Sequence, residues 1–463
     1  MKVKKIAKTA ALLVLAGAVI VGILYALGLR LVLDGGGGVS LAFVKSASKQ
    51  AEDLAKHREA QRAQTSAAPA PNAAIYWTSF RGPERDGVYR QQPVRTDWPT
   101  DGMQPLWKQP IGGGYASFVI AEGRAFTIEQ RGAQELASAY DLLTGRELWT
   151  NSWTALFSEM MGGDGPRATP TWHDGRVYVL GGKGEFRAID AAKGTTIWRT
   201  NILEDAAAGN IQWGMSAAPL IVDNTVVVLP GGANGQSVVA YDLATGKRAW
   251  SALDDRASYS SPMLVTLDGV RQILTFTASR LVGLTSDRGE LLWEFPWKTQ
   301  YDVNASQPLI AGPNRVFVST GYGTGAGMIE VARGSDQRFT VREVWRTNRM
   351  KNQFTSSVLY DGFIYGLDES ILACLNASTG DLMWKGGRYG YGQVVLASGH
   401  LIIVSEQGDL ALARATPEKH VEVARFPVLD GRTWNHPTMS DGYLLIRNIN
   451  EMAAFDLRKE GQD

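Results

Sequence analysis

Cysteine and histidine are the scarcest reactive residues of this chain. Cys374 is the only thiol among 463 residues, so an intramolecular disulfide cannot form. Histidine occurs five times, and no histidine has a histidine or cysteine at the spacing of a zinc-ligand pair. A disulfide scaffold and structural zinc are therefore excluded, and we predict no metal site.

An excess of charge of either sign is also lacking. The chain has 47 Lys and Arg against 46 Asp and Glu, which leaves a formal net charge of +1. Phosphate backbones select for a basic surplus, so the balance argues against a nucleic-acid partner. Because 44% of the residues are hydrophobic, the chain can bury a core and is not intrinsically disordered.

A long apolar run occurs once, at the N-terminus. Lysines at positions 2, 4, 5 and 8 precede an uncharged stretch over residues 9–29. As a helix this stretch would be about 30 Å long, which is the thickness of a bilayer core. We predict a cytoplasmic basic tail over residues 1–8 and a single-pass inner-membrane anchor over 9–33, with the remainder in the periplasm. A cleaved signal peptide, ending near Ala26-Leu27-Gly28, remains the alternative.

The segment over residues 34–74 differs in composition from the rest of the chain. Four glycines at 35–38 lead into good helix formers over 40–64, and then into a stretch over 65–74 rich in Ala, Ser and Pro. We interpret it as a stalk helix followed by a flexible linker. Disorder throughout is the open alternative.

An eleven-residue unit recurs after residue 75, between short alternating apolar and polar runs typical of strands. Its glycine suits a turn with positive φ, and its tryptophan begins the next strand. Stacked copies could cover each other's faces, and a period of 40 to 50 residues is typical of propeller blades. Glycine takes the seventh place and tryptophan the eleventh in each copy: Gly145 and Trp149, Gly194 and Trp198, Gly246 and Trp250, Gly289 and Trp293, and Gly380 and Trp384.

The number of blades follows from the tryptophan positions. Phe426 takes the place of an eighth tryptophan, so we predict an all-β, eight-bladed β-propeller of four-stranded blades over residues 75–459 and a tail over 460–463. The last blade lacks its own outer strand, so Leu106-Trp107 should pair with residues 452–456 and close a monomeric ring. Seven structural tryptophans mark the outer strands at intervals of 39 to 52 residues: Trp107, Trp149, Trp198, Trp250, Trp293, Trp345 and Trp384.

The A-x-D-x-x-T-G-x-x-x-W unit resembles the tryptophan-docking repeat of quinoprotein propellers that bind pyrroloquinoline quinone (PQQ). It is also similar to the repeat of the outer-membrane assembly factor BamB. The leader Trp77-Thr78-Ser79-Phe80-Arg81-Gly82-Pro83-Glu84-Arg85-Asp86-Gly87 resembles the start of exported PQQ-like repeat proteins. The resemblance covers about residues 75–459 and is specific for the fold rather than for an activity.

The resemblance implies two functions. Likeness to BamB implies a noncatalytic scaffold in the envelope that binds envelope proteins or peptide segments. Likeness to membrane-bound quinoprotein dehydrogenases implies oxidation of an alcohol or sugar with PQQ. The single cysteine departs from the vicinal disulfide of quinoprotein alcohol dehydrogenases, and the absence of a lipid-bearing N-terminal cysteine departs from BamB. We favour the scaffold, with PQQ dehydrogenase as the alternative and no catalytic residue assigned.

Loops on one face of a propeller surround its axis, so residues before the inner strands and at the middle turns are candidates to line a funnel. Their aromatic, amide and guanidinium groups suit a planar or anionic ligand. His436, beside this set, is either a base or a hydrogen-bonding residue between blades. The candidates are Tyr115, Arg131, Arg167, Trp213, Asn304, Gln353, Arg388, Trp434 and Asn435.

Overall fold

The computed structural model describes residues 15–17, 19–43, 46–63, 76–99 and 101–459. The basic tail predicted over residues 1–8 and the C-terminal tail over 460–463 lie outside the described residues, as do parts of the predicted anchor and linker. The described residues form a propeller and three N-terminal elements that precede it.

Eight antiparallel sheets form the propeller, which confirms the fold and the number of blades. In blades 1 to 6 the strands follow chain order from the axis outward. Blade 1 consists of Val119–Ala121, Arg124–Arg131, Gln134–Asp141 and Glu147–Thr154, and blade 2 of Thr171–His173, Arg176–Leu180, Glu185–Asp190 and Thr196–Asn201. Blade 3 consists of Leu220–Val222, Thr225–Val228, Val238–Asp242 and Arg248–Ala252, and blade 4 of Met263–Leu267, Val270–Phe276, Arg280–Thr285 and Leu291–Pro296.

Each of blades 5 to 8 likewise has four strands, and the leader adds a fifth strand to the sheet of blade 7. Its inner strand pairs in parallel with Val88–Tyr89, which makes that sheet five-stranded rather than four-stranded. Blade 5 consists of Leu309–Ile310, Arg315–Thr320, Gly325–Arg333 and Phe339–Thr347, and blade 6 of Val358–Tyr360, Phe363–Asp368, Ile371–Asn376 and Leu382–Arg388. Blade 7 consists of Gln393–Ala397, His400–Val404, Asp409–Arg414 and Glu422–Pro427, and blade 8 of Thr438–Ser440, Tyr443–Arg447, Glu451–Asp456 and Trp107–Pro110.

The last of these strands closes the ring. Trp107–Pro110, from the beginning of the propeller, pairs antiparallel with Glu451–Asp456 from its end, with Trp107 opposite Ala454. The outer strand of blade 8 is therefore supplied by the opposite end of the propeller chain, as predicted. Closure matters because an open ring would expose unpaired backbone groups at two sheet edges.

Neighbouring blades are joined through the repeat tryptophans. The Trp149 indole donates a hydrogen bond to the Ala191 carbonyl of the next blade at 3.0 Å, and Trp198 donates to Leu243 at 3.0 Å. Trp107, Trp345 and Trp384 make the same bond to Leu142, Ala377 and Thr416. Trp293 instead donates to Gln272 of its own blade, and the Trp250 indole nitrogen has no hydrogen-bond partner among the described residues.

The leader segment runs into the axis of the ring and bonds to its inner strands. Carbonyls of Trp77 and Thr78 accept the amides of Ile120 and Trp172, in blades 1 and 2. Arg81 donates to the carbonyls of Ser356 and Ser357, which lie immediately before the inner strand of blade 6.

Arg85 completes this hub with bonds to other blades. It donates to the carbonyls of Ala218, Pro219 and Pro262, which precede the inner strands of blades 3 and 4. Burial lowers the pKa of Arg85 to about 9 and that of Arg81 to about 10, because desolvation penalises a guanidinium. Carbonyl dipoles around the axis compensate part of that penalty, so the leader is a structural part of the ring.

The N-terminal elements differ from the prediction in one respect. Residues 15–17 and 19–26 are helical, but the expected anchor does not continue to residue 33. Leu29–Leu33 is instead a strand that pairs with Val39–Phe43 across a glycine-rich turn, because a tight turn at Asp34-Gly35 favours a hairpin. In the part of the chain that is described, no helix has both the length and the apolar character required to cross a bilayer.

Val39–Phe43 belongs to the hairpin, and within the segment predicted as stalk and linker a helix covers Ala47–Ala63. It lies against the propeller where the ring closes. Arg58 is buried there, donates to the Pro110 carbonyl at 3.0 Å and lies 3.3 Å from the Glu147 carboxylate. His57 and Gln61 both contact the Gln109 amide oxygen. The helix therefore covers the junction between blades 8 and 1.

Candidate functional site

A cavity of about 180 Å³ opens at one end of the propeller axis. Phe80, from the leader, and His436 lie among its lining residues, so the leader hub contributes to its wall on the axial side. Five of the nine residues selected from the sequence line this cavity together: Tyr115, Arg167, Trp213, Gln353 and Trp434. We call this cavity, with its lining residues, the funnel.

Aromatic rings form one wall of the funnel, and Tyr391, which does not itself line the cavity, extends their row. Tyr391 lies 5.7 Å from Phe354, Phe354 lies 4.7 Å from Trp434, and Trp434 lies 5.2 Å from Tyr115, measured between ring centroids. On the opposite side, Trp213 packs 5.3 Å from Tyr259. Such rings offer apolar faces that can stack on planar groups, including peptide bonds.

Two arginines stand beside this aromatic row. Arg432 lies over the Trp434 ring at 4.3 Å and donates to the carbonyls of Met161 and Gly162, both at 2.7 Å. Arg167 pairs with the Glu159 carboxylate at 2.8 Å. Burial lowers the pKa of Arg167 and raises that of the Tyr115 phenol, because desolvation disfavours the charged form of each.

His436 is fully enclosed next to the leader. Its Nδ1 lies 2.6 Å from the Pro437 carbonyl, and its Nε2 lies 3.4 Å from the Arg81 guanidinium. Burial lowers the pKa of His436 well below its ordinary value, and the Arg81 cation lowers it further. A neutral ring with both nitrogens engaged in this way supports the structural interpretation of His436 over that of a base.

The other four sequence-selected residues do not line the funnel. The Asn304 and Asn435 amides turn into the blades and donate to backbone carbonyls, at 3.0 Å to Thr277 and 2.9 Å to Ala116. Arg131 pairs with Glu129 and Glu147, and Arg388 reaches the Ser370 hydroxyl at the surface. A ligand-binding role for the nine selected residues remains a prediction, and the five that line the funnel are the ones whose positions fit that role.

Several lining residues were not selected from the sequence. Glu159 and Phe354 belong to the same loops between blades as Arg167 and Gln353. Considering each whole loop rather than single positions within it would have found them. Asp34 and Gly35, from the N-terminal hairpin, also reach the funnel, and no sequence pattern links them to it.

The funnel residues do not fit PQQ with the cation that accompanies it. Asp34 and Glu159 are the carboxylates of the lining, and such a cation takes hard oxygen ligands. Glu159 already accepts bonds from Arg167 and from two backbone amides, and Asp34 binds two amides of its own turn. Throughout the described ranges, no three His, Cys, Asp or Glu side chains converge as metal ligands would.

Comparison with known proteins agrees with the repeat and the fold. The family described as outer membrane protein assembly factor BamB matches residues 132–386. The BamB of Bordetella pertussis is 22% identical over 316 residues, which span 65% of this chain and 72% of that protein. The BamB of Burkholderia pseudomallei is 23% identical over 72% of this chain and 85% of that protein.

Solved structures show the same fold at lower identity. The crystal structure of BamB from Moraxella catarrhalis superposes with a TM-score of 0.56 and 13% identity, over 76% of this chain and 99% of that one. The quinohemoprotein alcohol dehydrogenase of Comamonas testosteroni gives a TM-score of 0.58 and 13% identity, over 89% of this chain and 85% of that one. The fold is thus shared with both an outer-membrane assembly factor and an enzyme. The family model, by contrast, matches more than half of the chain, and this match decides the family. The chain belongs to the outer membrane protein assembly factor BamB family.

Proposed function

We propose that this chain is a noncatalytic binding scaffold of the cell envelope that works in the assembly of outer-membrane proteins. The observation that carries the proposal is the family match over residues 132–386. The funnel adds support, because its aromatic rings and amide groups can bind peptide and its two carboxylates are already engaged.

We further propose that the N-terminus tethers the propeller to the inner membrane, with the propeller in the periplasm. Support comes from the lysines that precede the apolar run over residues 9–29 and from the exposure of its side chains. Val21 and Leu27 are 66% and 67% exposed in a segment that contains no acidic residue. Apolar side chains left this exposed favour contact with lipid.

Affinity purification of the tagged full chain from detergent-solubilised envelopes tests the scaffold. We expect components of outer-membrane assembly to copurify, and we expect a Trp434→Ala, Phe354→Ala double variant to retain fewer of them. A matched control, Leu382→Ala on the outer strand of blade 6, should retain all of them. Copurification of no envelope protein would contradict the scaffold.

Quinoprotein dehydrogenase activity is the alternative, and the shared fold with the Comamonas enzyme is the observation in its favour. The test is to add PQQ and Ca²⁺ to the purified chain and to follow dye reduction with alcohols and aldoses. We expect no turnover above the buffer rate, because the carboxylates of the funnel are already engaged. Sustained turnover would contradict the scaffold proposal.

A further inference from the structure

The turn of the N-terminal hairpin inserts into the funnel. The strands Leu29–Leu33 and Val39–Phe43 are joined by Asp34 and four glycines, and Asp34 and Gly35 line the cavity. Gly35 is buried, whereas Leu31 and Leu41 on the strands are 72% and 66% exposed. The funnel therefore holds the turn, and the strands project away from it.

The propeller binds this turn through its peptide groups. The Gly35 amide donates to the Glu406 carboxylate at 2.7 Å, and the Gly35 carbonyl accepts from the Gln353 amide at 2.8 Å. Arg432 donates to the Leu33 carbonyl at 3.1 Å. Each of these bonds reaches a backbone group, which every amino-acid sequence possesses, so the bonds alone do not select this particular hairpin.

Glu406 is held in place by bonds that do not involve the turn. It is 5% exposed, accepts the Trp434 indole at 2.9 Å through one oxygen and accepts the Tyr391 amide at 3.1 Å through the other. A carboxylate fixed in this way can accept a further amide without losing much side-chain entropy. The site is thus built by the propeller rather than by the hairpin.

Tyr391 supplies the selectivity. A Cβ atom on Gly35 would lie 2.5 Å from the Tyr391 Cγ, and a Cβ atom on Gly36 would lie 2.9 Å from its hydroxyl. A glycine peptide can lie flat on this ring, whereas a residue with a side chain cannot approach as closely. The pocket therefore discriminates for glycine at the buried position of a turn.

We propose that the funnel is a receptor for glycine-containing β-hairpin turns of partner chains, and that the chain's own hairpin occupies it as an internal competitor. The occupant is defined chemically: two antiparallel strands joined by a turn with glycine at its deepest residue. The inference rests on the proposed scaffold function and names its ligand class. The resident turn lowers the apparent affinity for a partner in proportion to the time it stays bound.

Binding of a synthetic hairpin to the purified full chain tests the proposal. The probe is a fluorescent peptide with the sequence of residues 29–43, measured by anisotropy. In a Gly35→Ala chain, the new methyl group displaces the resident turn, so we expect the probe to bind at least about tenfold more tightly than to the unaltered chain. A probe that itself carries Gly35→Ala should bind at least about tenfold more weakly than the glycine probe.

Two further variants locate the binding in the funnel. Adding Gln353→Ala to the Gly35→Ala chain should abolish the gain, since it removes the donor to the Gly35 carbonyl. Adding Gln337→Ala, at an exposed position between the two outer strands of blade 5, should leave the gain intact. Equal affinity of the unaltered and Gly35→Ala chains, or equal binding of the two probes, would overturn the proposal. If probe binding fails while envelope partners still copurify, the receptor inference fails and the scaffold function stands.

Discussion

At the scale of the residue, the repeat glycine has two separate constraints. Gly194 has φ of +72°, and a Cβ atom there would lie 2.5 Å from the Trp149 ring of the preceding blade. Gly175, at a hairpin turn of the same blade, has φ of +71° but no atom within 4 Å of such a Cβ. The two positions therefore separate backbone strain from tryptophan packing.

We expect Gly194→Ala to destabilise the protein more than Gly175→Ala does. Backbone strain should cost about 1 kcal/mol at each position, and displacement of the Trp149 ring should add about 1 to 3 kcal/mol at Gly194 alone. Urea unfolding followed by tryptophan fluorescence measures both losses. Equal losses would show that the packing of glycine on tryptophan does not hold neighbouring blades together.

Glu129 makes the stability depend on pH. Burial alone would raise its pKa, but the Arg131 and Arg447 cations and the hydroxyls of Ser138 and Tyr140 outweigh burial and lower the pKa to about 2. An unfolded glutamate titrates near about 4.3, so the contribution is complete above that pH and disappears as pH falls toward 2. We expect Glu129→Gln to lower stability at pH 7 and to flatten its decline between pH 5 and 2.

The measurement is the urea midpoint as a function of pH, with Glu122→Gln as the control. Glu122 lies exposed in a hairpin turn of the same blade, so its replacement should leave the pH profile unchanged. A Glu129→Gln profile parallel to that of the unaltered chain would contradict the assignment. The same cluster explains why Arg131 is absent from the funnel: a buried carboxylate attracts its guanidinium more strongly than solvent does.

Residue types before the inner strands were sufficient to find much of the funnel. Tyr115, Arg167 and Trp434 lie together because propeller topology brings those loops to the axis, and their large side chains fill it. Asn304 and Asn435 have the same placement but point into the blades, where carbonyls that lack partners take up their amides. Sequence specifies the loop, whereas competition for hydrogen bonds decides the direction of the side chain.

At the scale of the element, the Ala47–Ala63 helix depends on its contacts with the propeller. Its sequence has little amphipathic character, and an isolated helix of this length is marginal in water. Leu54 and Arg58 are buried against the propeller, and the Arg58 guanidinium lies over the Tyr140 ring at 4.9 Å. Docking therefore rests on few side chains.

We expect Arg58→Ala to release this helix from the junction of blades 8 and 1. Amide hydrogen exchange across residues 47–63 should accelerate at least about tenfold, while the strands of blade 1 stay protected. Lys56→Ala is the matched control, because Lys56 is on the same helix, its side chain is 68% exposed, and it pairs with Glu52 of that helix. Unchanged exchange in the Arg58→Ala chain would show that the helix is held by something else.

The elements that belong to the repeat could be predicted from the sequence, whereas the elements outside the repeat could not. The glycine and tryptophan spacing indicated eight blades because each blade needs the same turn and a tryptophan that packs against its neighbour. The leader has no repeat partner, so nothing in its sequence indicated that Arg81 and Arg85 would reach the inner ends of different blades. The hairpin at Leu29–Leu33 was likewise hidden within an apolar stretch that fits a membrane helix equally well.

At the scale of the whole molecule, pairing of the chain ends should keep the ring monomeric. Deletion of residues 451–459 removes the partner of Trp107–Pro110 and exposes sheet edges in blade 8. We expect this chain to form oligomers and to unfold at a lower temperature, as measured by size-exclusion chromatography with light scattering and by thermal melting. Deletion of residues 460–463 should change neither, and a monomeric 451–459 deletion with an unaltered melting temperature would contradict closure by these strands.

The most direct test of the scaffold is crosslinking at the funnel in living cells. A photoreactive phenylalanine analogue is placed at Tyr301, which is 59% exposed and contacts the funnel residue Tyr322, with Leu291 on the outer strand of blade 4 as the control position. Adducts with outer-membrane proteins or their assembly factors should form from Tyr301 and not from Leu291, and Gly35→Ala should increase their yield. Equal adducts from the two positions, or none containing such proteins, would contradict a scaffold that works through this face.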